Sequence, residues 1–334
     1  MTVAATVGPY AWESHLLTWV VLILVVGSVV LGHRRLATSS ERPIPWPRRQ
    51  IIQFAGAVVA AAVALTWPLA DLAAHWSLLT LVIQRLILLL VVAPLVLLGL
   101  PYDVVQWATR PVAVDSLLIR LQRPLVAIAT VTVLVVGSMT PFVVRAQSTS
   151  FLARGAVSAL ILLAGLVLWI PVLGRIPGIT RPKPVIRFAY LVAQAVVPAF
   201  LSFIYIFSVH PLYREFARSR QAIGLRPLND QQIAGFASKL SMLLVLLSVG
   251  AAVLARASTS EEDFGEDDPL LWADVERQFE RVDRKGNRRD AVDRTRGEES
   301  PSAPTRTSDL SPDPADRSRP TGDPNEQERP PDDA

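Results

Sequence analysis

Long apolar runs separated by basic loops are the feature that most limits how this 334-residue chain can fold. Seven of the runs are long enough for a helix to cross the roughly 30 Å hydrocarbon core of a bilayer. They cover residues 14–32, 51–68, 77–100, 124–143, 155–174, 188–208 and 231–255. The sequence therefore predicts an all-α, multi-pass transmembrane bundle of seven helices.

The charge balance divides the chain near residue 256. Residues 1–256 contain 21 Lys and Arg against 7 Asp and Glu, whereas residues 257–334 contain 12 against 22. The second part is rich in Pro, Asp, Arg and Ser and almost lacks large apolar residues, which is typical of disorder. One short amphipathic helix is predicted within it, near 269–284. We therefore predict a transmembrane domain over 1–256 and an acidic, mostly disordered tail over 257–334.

The loops between the runs indicate the orientation. Alternate loops are rich in arginine and lysine, and such loops face the cytoplasm. The first of them contains Arg34, Arg35, Arg42, Arg48 and Arg49, while the next loop, 71–76, contains none. This pattern predicts a protein of the plasma (inner) membrane with its N-terminus outside and its C-terminus in the cytoplasm. The loop over 210–230 carries four arginines on the outside, which indicates either an error in this topology or a functional basic surface.

Several function classes are disfavoured by what the sequence lacks. With no cysteine, the chain has no disulfide or thiolate metal site. It has no Gly-rich phosphate loop and no HExxH motif, so we predict that it is not an enzyme. No Lys or Arg precedes the first apolar run, which we interpret as a retained helix rather than a signal peptide. The acidic tail argues against nucleic acid as a partner, and the apolar runs make membrane lipid the expected one.

An arginine interrupts the third run. Arg85 lies about 12 Å below the outer end of its predicted helix. A central arginine costs about 2.5–3.5 kcal/mol on insertion scales, which the many Leu, Ile and Val residues of the run can offset. Lys239 lies at a similar depth in the last run, and Asp71 and Asp230 stand at the outer ends of runs. We expect a buried polar network of these residues; the alternatives are a cationic cavity for an anionic group, such as a lipid phosphate or haem propionate, or misplaced helix ends.

Histidines are few in this sequence. Three of the four, His15, His75 and His210, fall near the predicted outer face, where imidazoles could bind copper or zinc. They come from distant parts of the chain, and interfacial histidines are the simpler interpretation. We therefore predict no metal site and no cofactor, with these three histidines as the candidates if copper is bound.

Three segments together resemble the CtaG-like family of cytochrome c oxidase assembly factors. They are "APLVLLGLP" at 93–101, "GLVLWIPVLG" at 165–174, and "PLYREFARSRQAIGLRPLNDQQIAGF" at 211–236. The family's Pro-Leu-Tyr and Asp-Gln…Gly residues correspond here to Pro211, Leu212, Tyr213, Asp230, Gln231 and Gly235. The resemblance covers roughly residues 67–255 and implies seven spans with the N-terminus outside.

The resemblance also implies a role in copper delivery during oxidase biogenesis. Aligned on these segments, the family's two histidines fall at Leu81 and Arg85, a third falls near Ser158, and a methionine falls near Ser238. All four ligand residues are replaced, and an arginine cannot bind copper because it stays protonated. The charge of Arg85 is then expected to replace that of the metal in holding Asp230 or Gln231.

These observations lead to one preferred function and two alternatives. We favour a membrane factor that assists assembly of a terminal cytochrome c oxidase without direct copper ligation, with oxidase subunits or assembly intermediates as partners. Arg85, Asp230, Gln231, Lys239 and Asp71 are its predicted polar cluster. The first alternative is a protein handling a small solute or lipid in a cationic outer cavity. The second is a scaffold that acts through its acidic tail.

Overall fold

The structure is a computed structural model that describes residues 14–38, 45–174, 182–196 and 199–266, with the backbone alone at 199 and 258–266. Within these ranges the secondary structure is entirely helical, so the all-α prediction is confirmed. In chain order the helices are α1 Leu16–Thr38, α2 Arg48–Leu65, α3 Leu69–His75, α4 Leu78–Leu86, a π-helical segment Ile87–Val92, α5 Ala93–Gly99, α6 Tyr102–Thr109, α7 Val112–Leu121, α8 Pro124–Ser138, α9 Pro141–Thr149, α10 Phe151–Leu173, α11 Pro184–Val196, α12 Ala199–Phe207, a 3₁₀ turn Arg214–Phe216, α13 Ser219–Ile223 and α14 Pro227–Glu266.

Six helical stretches in the described ranges are long and apolar enough to cross a membrane. They are Leu16–Thr38, Arg48–Leu65, Leu78–Gly99, Phe151–Leu173, Pro184–Phe207 and Pro227–Ala257. A seventh candidate, α7 followed by α8, is bent by 94° at the break between its helices. The predicted count of seven therefore holds only if this bent pair is one span.

The fourth apolar run departs most from its prediction. Instead of one helix over 124–143, α8 ends at Ser138 and α9 begins at Pro141. Thr140 precedes the proline and adopts an extended conformation with ψ of 142°. A residue before proline is forced out of the helical region in this way. The break leaves the C-terminal carbonyls of α8 without partners in their own helix.

The third run stays continuous but changes its winding. Over Ile87–Val92 it forms a π-helix, in which the N–H of Ala93 donates to the carbonyl of Leu88. In this register the carbonyl of Leu89 faces Pro94, which has no N–H to donate. The indole Nε1 of Trp169, on α10, donates to that carbonyl instead at 2.9 Å. Pro94 of the first resemblance motif thus leaves a carbonyl without a backbone partner, and Trp169 of the second motif binds that carbonyl.

The motif glycines allow helices to cross closely. A Cβ added at Gly165 would lie 2.6 Å from the Cβ of Ala93, and one at Gly99 would lie 2.4 Å from the backbone N of Phe54. One at Gly235, on α14, would lie 2.9 Å from the carbonyl oxygen of Ser202, on α12. Cβ atoms essentially never approach other atoms so closely. Each motif therefore contains a glycine because two helices meet at that point.

The end of the chain extends beyond what the structure describes. Helix α14 continues to Glu266, ten residues past the predicted domain boundary at 256. The predicted helix near 269–284 and the rest of the acidic tail lie outside the described residues. The division into two domains and the disorder of the tail stay predictions.

Candidate functional site

Asp230, in the first turn of α14, places its carboxylate against the N-terminus of α4, the helix that carries Arg85. Its Oδ1 accepts hydrogen bonds from the Ser77 hydroxyl at 2.8 Å and the Leu79 N–H at 3.2 Å, and its Oδ2 accepts from the Leu78 N–H at 2.8 Å. The first N–H groups of a helix have no partner within it and form the positive end of the helix dipole. The fully buried carboxylate of Asp230 therefore supplies both hydrogen-bond acceptors and a matching charge.

Gln231, the next residue, binds the loop that precedes α14. Its Oε1 accepts from the N–H of Leu212 at 2.8 Å, and its Nε2 donates to the carbonyl of Tyr205 at 3.4 Å. The Asp-Gln pair of the third motif thus fixes two neighbouring features of the bundle. Asp230 fixes α4, and Gln231 fixes the turn between α12 and the Pro-Leu-Tyr segment.

Tyr213, the last residue of that segment, reaches the broken end of α8. Its hydroxyl donates to the carbonyl of Met139 at 2.5 Å and contacts the hydroxyl of Tyr205 at 2.7 Å. Burial raises the pKa of Tyr213, while the Tyr205 hydrogen bond and the charge of Arg85 oppose that shift. Tyr213 therefore keeps the proton that the Met139 carbonyl needs.

Arg85 reaches the same end of α8 from inside the bundle. Its Nη2 donates to the carbonyl of Ser138 at 3.1 Å and to Oε1 of Gln147, on α9, at 3.3 Å. The last carbonyls of a helix are its negative end, so a guanidinium is a favourable partner for them. Arg85 is only 6% exposed, and its position is explained by the break in α8. An arginine is present at this depth because a helix ends there.

The predicted network of Arg85, Asp230, Lys239 and Asp71 is therefore corrected. Within the described residues, Arg85 and Asp230 do not pair with each other, since each binds a different helix end. Asp71 instead bonds His15 at 2.9 Å, and the ammonium of Lys239 lies 3.6 Å from the ring centroid of Phe203. The four residues have four different sets of partners, and whether they act in function stays a prediction.

The histidine candidates are also dispersed. His15 bonds Asp71, His75 contacts a guanidinium nitrogen of Arg154 at 3.1 Å, and His210 is exposed. Burial lowers the pKa of His75, with a further decrease from the charge of Arg154. No three His, Cys, Asp or Glu side chains in the described ranges are grouped so that they could hold a metal ion.

The positions that align with the family's metal ligands converge only in part. Leu81 is buried in a cluster with Tyr205 and Tyr213, and Ser238 borders a small cavity beside Tyr205. Ser158 lies apart from these two residues, on α10, and its hydroxyl donates to the carbonyl of Arg154. These side chains offer apolar surface and hydroxyl groups, which are not the soft or imidazole ligands that copper prefers.

Several partners of these residues were not predicted from the sequence. The role of Ser77 could have been predicted, since a serine directly before an apolar helical run is a common N-cap. The roles of Tyr205, Ser138 and Gln147 could not, because nothing in their local sequence marks them as partners of distant side chains.

Taken together, the fold and these contacts define a multi-pass helical membrane protein whose buried polar side chains bind the ends of broken or short helices. Residues 12–260 match the model of a protein family described as "Cytochrome c oxidase caa3 assembly factor (Caa3_CtaG)". The match covers well over half of the chain, so the protein belongs to this family, and the resemblance seen in the motifs is confirmed. Neither the curated proteins nor the solved structures include a significant match to the chain.

Proposed function

We propose that this protein assists the assembly of a cytochrome c oxidase in the plasma membrane without ligating copper itself. Family membership supports the part in oxidase assembly, and families of assembly factors are generally not enzymes. The proposal on copper depends on this chain's own residues. Its partners would be oxidase subunits or assembly intermediates, reached within the bilayer.

The observation that carries the proposal is the position of the Arg85 guanidinium. Where the family pattern places a histidine, this side chain puts a permanent positive charge against the Ser138 carbonyl at the end of α8. A copper ion at this position would be repelled by that charge. The guanidinium therefore replaces a bound cation in stabilising the negative end of the helix, and it bonds α8 rather than Asp230 or Gln231.

Surfaces for a partner within the membrane are available on the bundle. None of the residues of α1 is buried, and its sides are apolar. The helix is held near its two ends, where His15 bonds Asp71 at 2.9 Å and His33 bonds Asp103 at 2.8 Å. An oxidase subunit that crosses the same bilayer could pack on α1 without disturbing the core. The arginine-rich loops support an N-terminus outside and a C-terminus in the cytoplasm.

The test is a strain that lacks the gene. Reduced-minus-oxidised haem spectra and cytochrome c oxidase activity of its membranes would be recorded with and without added copper. We expect oxidase to be lost and not to be restored by copper. Rescue by copper would show that metal delivery survives in this chain, and an unchanged oxidase would refute the assembly role.

Two complementation variants complete the experiment. A chain truncated after residue 256 should still restore oxidase, whereas failure of this variant alone would favour the scaffold that acts through its acidic tail. Arg85→Leu should lower both the abundance of the protein and oxidase levels, because α8 loses its partner. If neither falls, the role assigned to Arg85 is wrong.

A further inference from the structure

Two cations lie in the spanning part of the bundle without a carboxylate partner among the described residues. Nη1 of Arg85 is buried and makes no hydrogen bond there. Lys239, on α14, contacts the ring of Phe203 through its ammonium and forms no ion pair in the described ranges. A cation in a bilayer is costly unless water or an opposite charge compensates it. A partner for this charge is therefore expected.

A small cavity lies between the two side chains' helices. It has a volume of about 40 Å³, and Lys239, Ser202, Ser238 and Tyr205 provide its polar lining. Val82 and Leu89, which also line it, precede and follow Arg85 on its own helix. Met139, another lining residue, is next to Ser138, whose carbonyl Arg85 binds. The cavity is thus lined by Lys239 and borders the helical turns on either side of Arg85, which is not itself a lining residue.

The polar groups of this lining are able to donate hydrogen bonds to a ligand. The hydroxyls of Ser202 and Ser238, which both line the cavity, can each donate one hydrogen bond, and the ammonium of Lys239 can only donate. Among the described residues, no Asp or Glu lines the cavity. Donors and positive charge without a carboxylate favour an anionic ligand. Apolar side chains form the remaining walls, which would strengthen the attraction by excluding water.

The size of the cavity limits which anion fits. A volume of about 40 Å³ accommodates one or a few atoms of the size of a water molecule. A lipid phosphate or a haem propionate, each attached to a much larger molecule, is too large for it. We propose that the cavity binds one halide ion, chloride under ordinary conditions, held by Lys239, Ser202 and Ser238 in the positive field of Arg85.

Direct binding would be measured with radioactive chloride on the purified full-length chain in nanodiscs of zwitterionic lipid, using a scintillation proximity assay. About one chloride per chain is expected, displaced by bromide but not by the larger gluconate ion. Lys239→Met should abolish binding, whereas Lys239→Arg, which keeps the cation, should retain it. Lys183→Met, at an exposed lysine, is the matched control and should bind like the wild type.

Thermal unfolding of the same samples provides the second measurement. Replacing gluconate with chloride at constant ionic strength should raise the Tm of the wild type and of Lys183→Met by about 2–4 °C, since a ligand of the folded state stabilises it. Lys239→Met should show no such rise. Equal Tm values in both salts, together with no bound chloride in the wild type, would overturn the proposal and leave a cavity filled with water. Neither outcome affects the proposed role in oxidase assembly, which the deletion strain tests separately.

Discussion

The N-terminal end of α4 and the C-terminal end of α8 are both bound by a charged side chain from another helix, but the two charges are compensated to different degrees. The carboxylate of Asp230 accepts three hydrogen bonds at α4. At α8, the guanidinium of Arg85 uses only Nη2, and its Nη1 has no partner in the described part of the chain. The same device, a charge placed against a helix dipole, is therefore complete at one end and incomplete at the other.

This difference indicates separate purposes for the two ends. A fully satisfied carboxylate rigidifies the junction between α4 and α14, and a buried group of this kind is costly to remove. A guanidinium with unused donors leaves positive charge available to its surroundings. The Asp230 end is thus the structural part of the site, and the Arg85 end is the part with remaining capacity to interact.

The largest effect is expected at the Asp230 end. Asp230→Ala removes the acceptor of Ser77, Leu78 and Leu79, whose groups would stay buried and unpaired, and should lower the free energy of unfolding by about 3 kcal/mol. Unfolding of the purified protein in mixed detergent micelles with increasing SDS would measure it. Asp230→Asn, which keeps one acceptor oxygen, should lower the free energy of unfolding clearly less than Asp230→Ala does. Equal stability of Asp230→Ala and the wild type would contradict a structural role for this end.

An intermediate effect is expected from the close helix contact one turn below Asp230. Gly235→Ala would place a methyl group 2.9 Å from the Ser202 carbonyl oxygen. Because α12 would have to move, this variant should lower the free energy of unfolding by about 2 kcal/mol. The matched control is Gly155→Ala, on α10, where a Cβ would meet nothing within 4 Å. This control should be neutral or slightly stabilising, because alanine favours a helix more than glycine does. The two variants would be compared in the same unfolding assay, and equal values would show that α12 and α14 do not need this contact.

The smallest effect is expected at the Arg85 end. Arg85→Leu removes two hydrogen bonds but also removes the cost of burying a charge, so the net loss should be only about 1 kcal/mol. Arg145→Leu, at an exposed arginine on the neighbouring α9, is the control and should change stability by less than about 0.5 kcal/mol. If Arg85→Leu proved more damaging than Asp230→Ala, the assignment of the structural role to the Asp230 end would have to be reversed.

Much of the fold could be predicted from local patterns in the sequence. Apolar runs of spanning length identified the spans, and the depth of Arg85 in the third run followed from counting residues. The break in α8 was also readable in principle, because Pro141 lies inside the fourth run and prolines disrupt helices. The run was predicted as one helix because its hydropathy is continuous.

The site was less predictable because its contacts join distant parts of the chain. Ser77 and Asp230, which share a hydrogen bond, are separated by 153 residues, and Arg85 and Ser138 by 53. The charges suggested that Arg85 and Asp230 would attract each other. In the tertiary structure, helix ends compete with side chains as partners, and which ends meet which charges depends on how the helices pack.

The sequence by itself determined that this chain forms a helical membrane bundle, that a few charged residues lie within it, and that its motifs resemble those of an oxidase assembly family. Hydropathy and motif spacing are local properties, so they survive in the linear order of residues. Only the tertiary structure decided that Asp230 and Arg85 bind opposite ends of two different helices. The orphan N–H and carbonyl groups that attract these charges exist only once helices have ended and packed together.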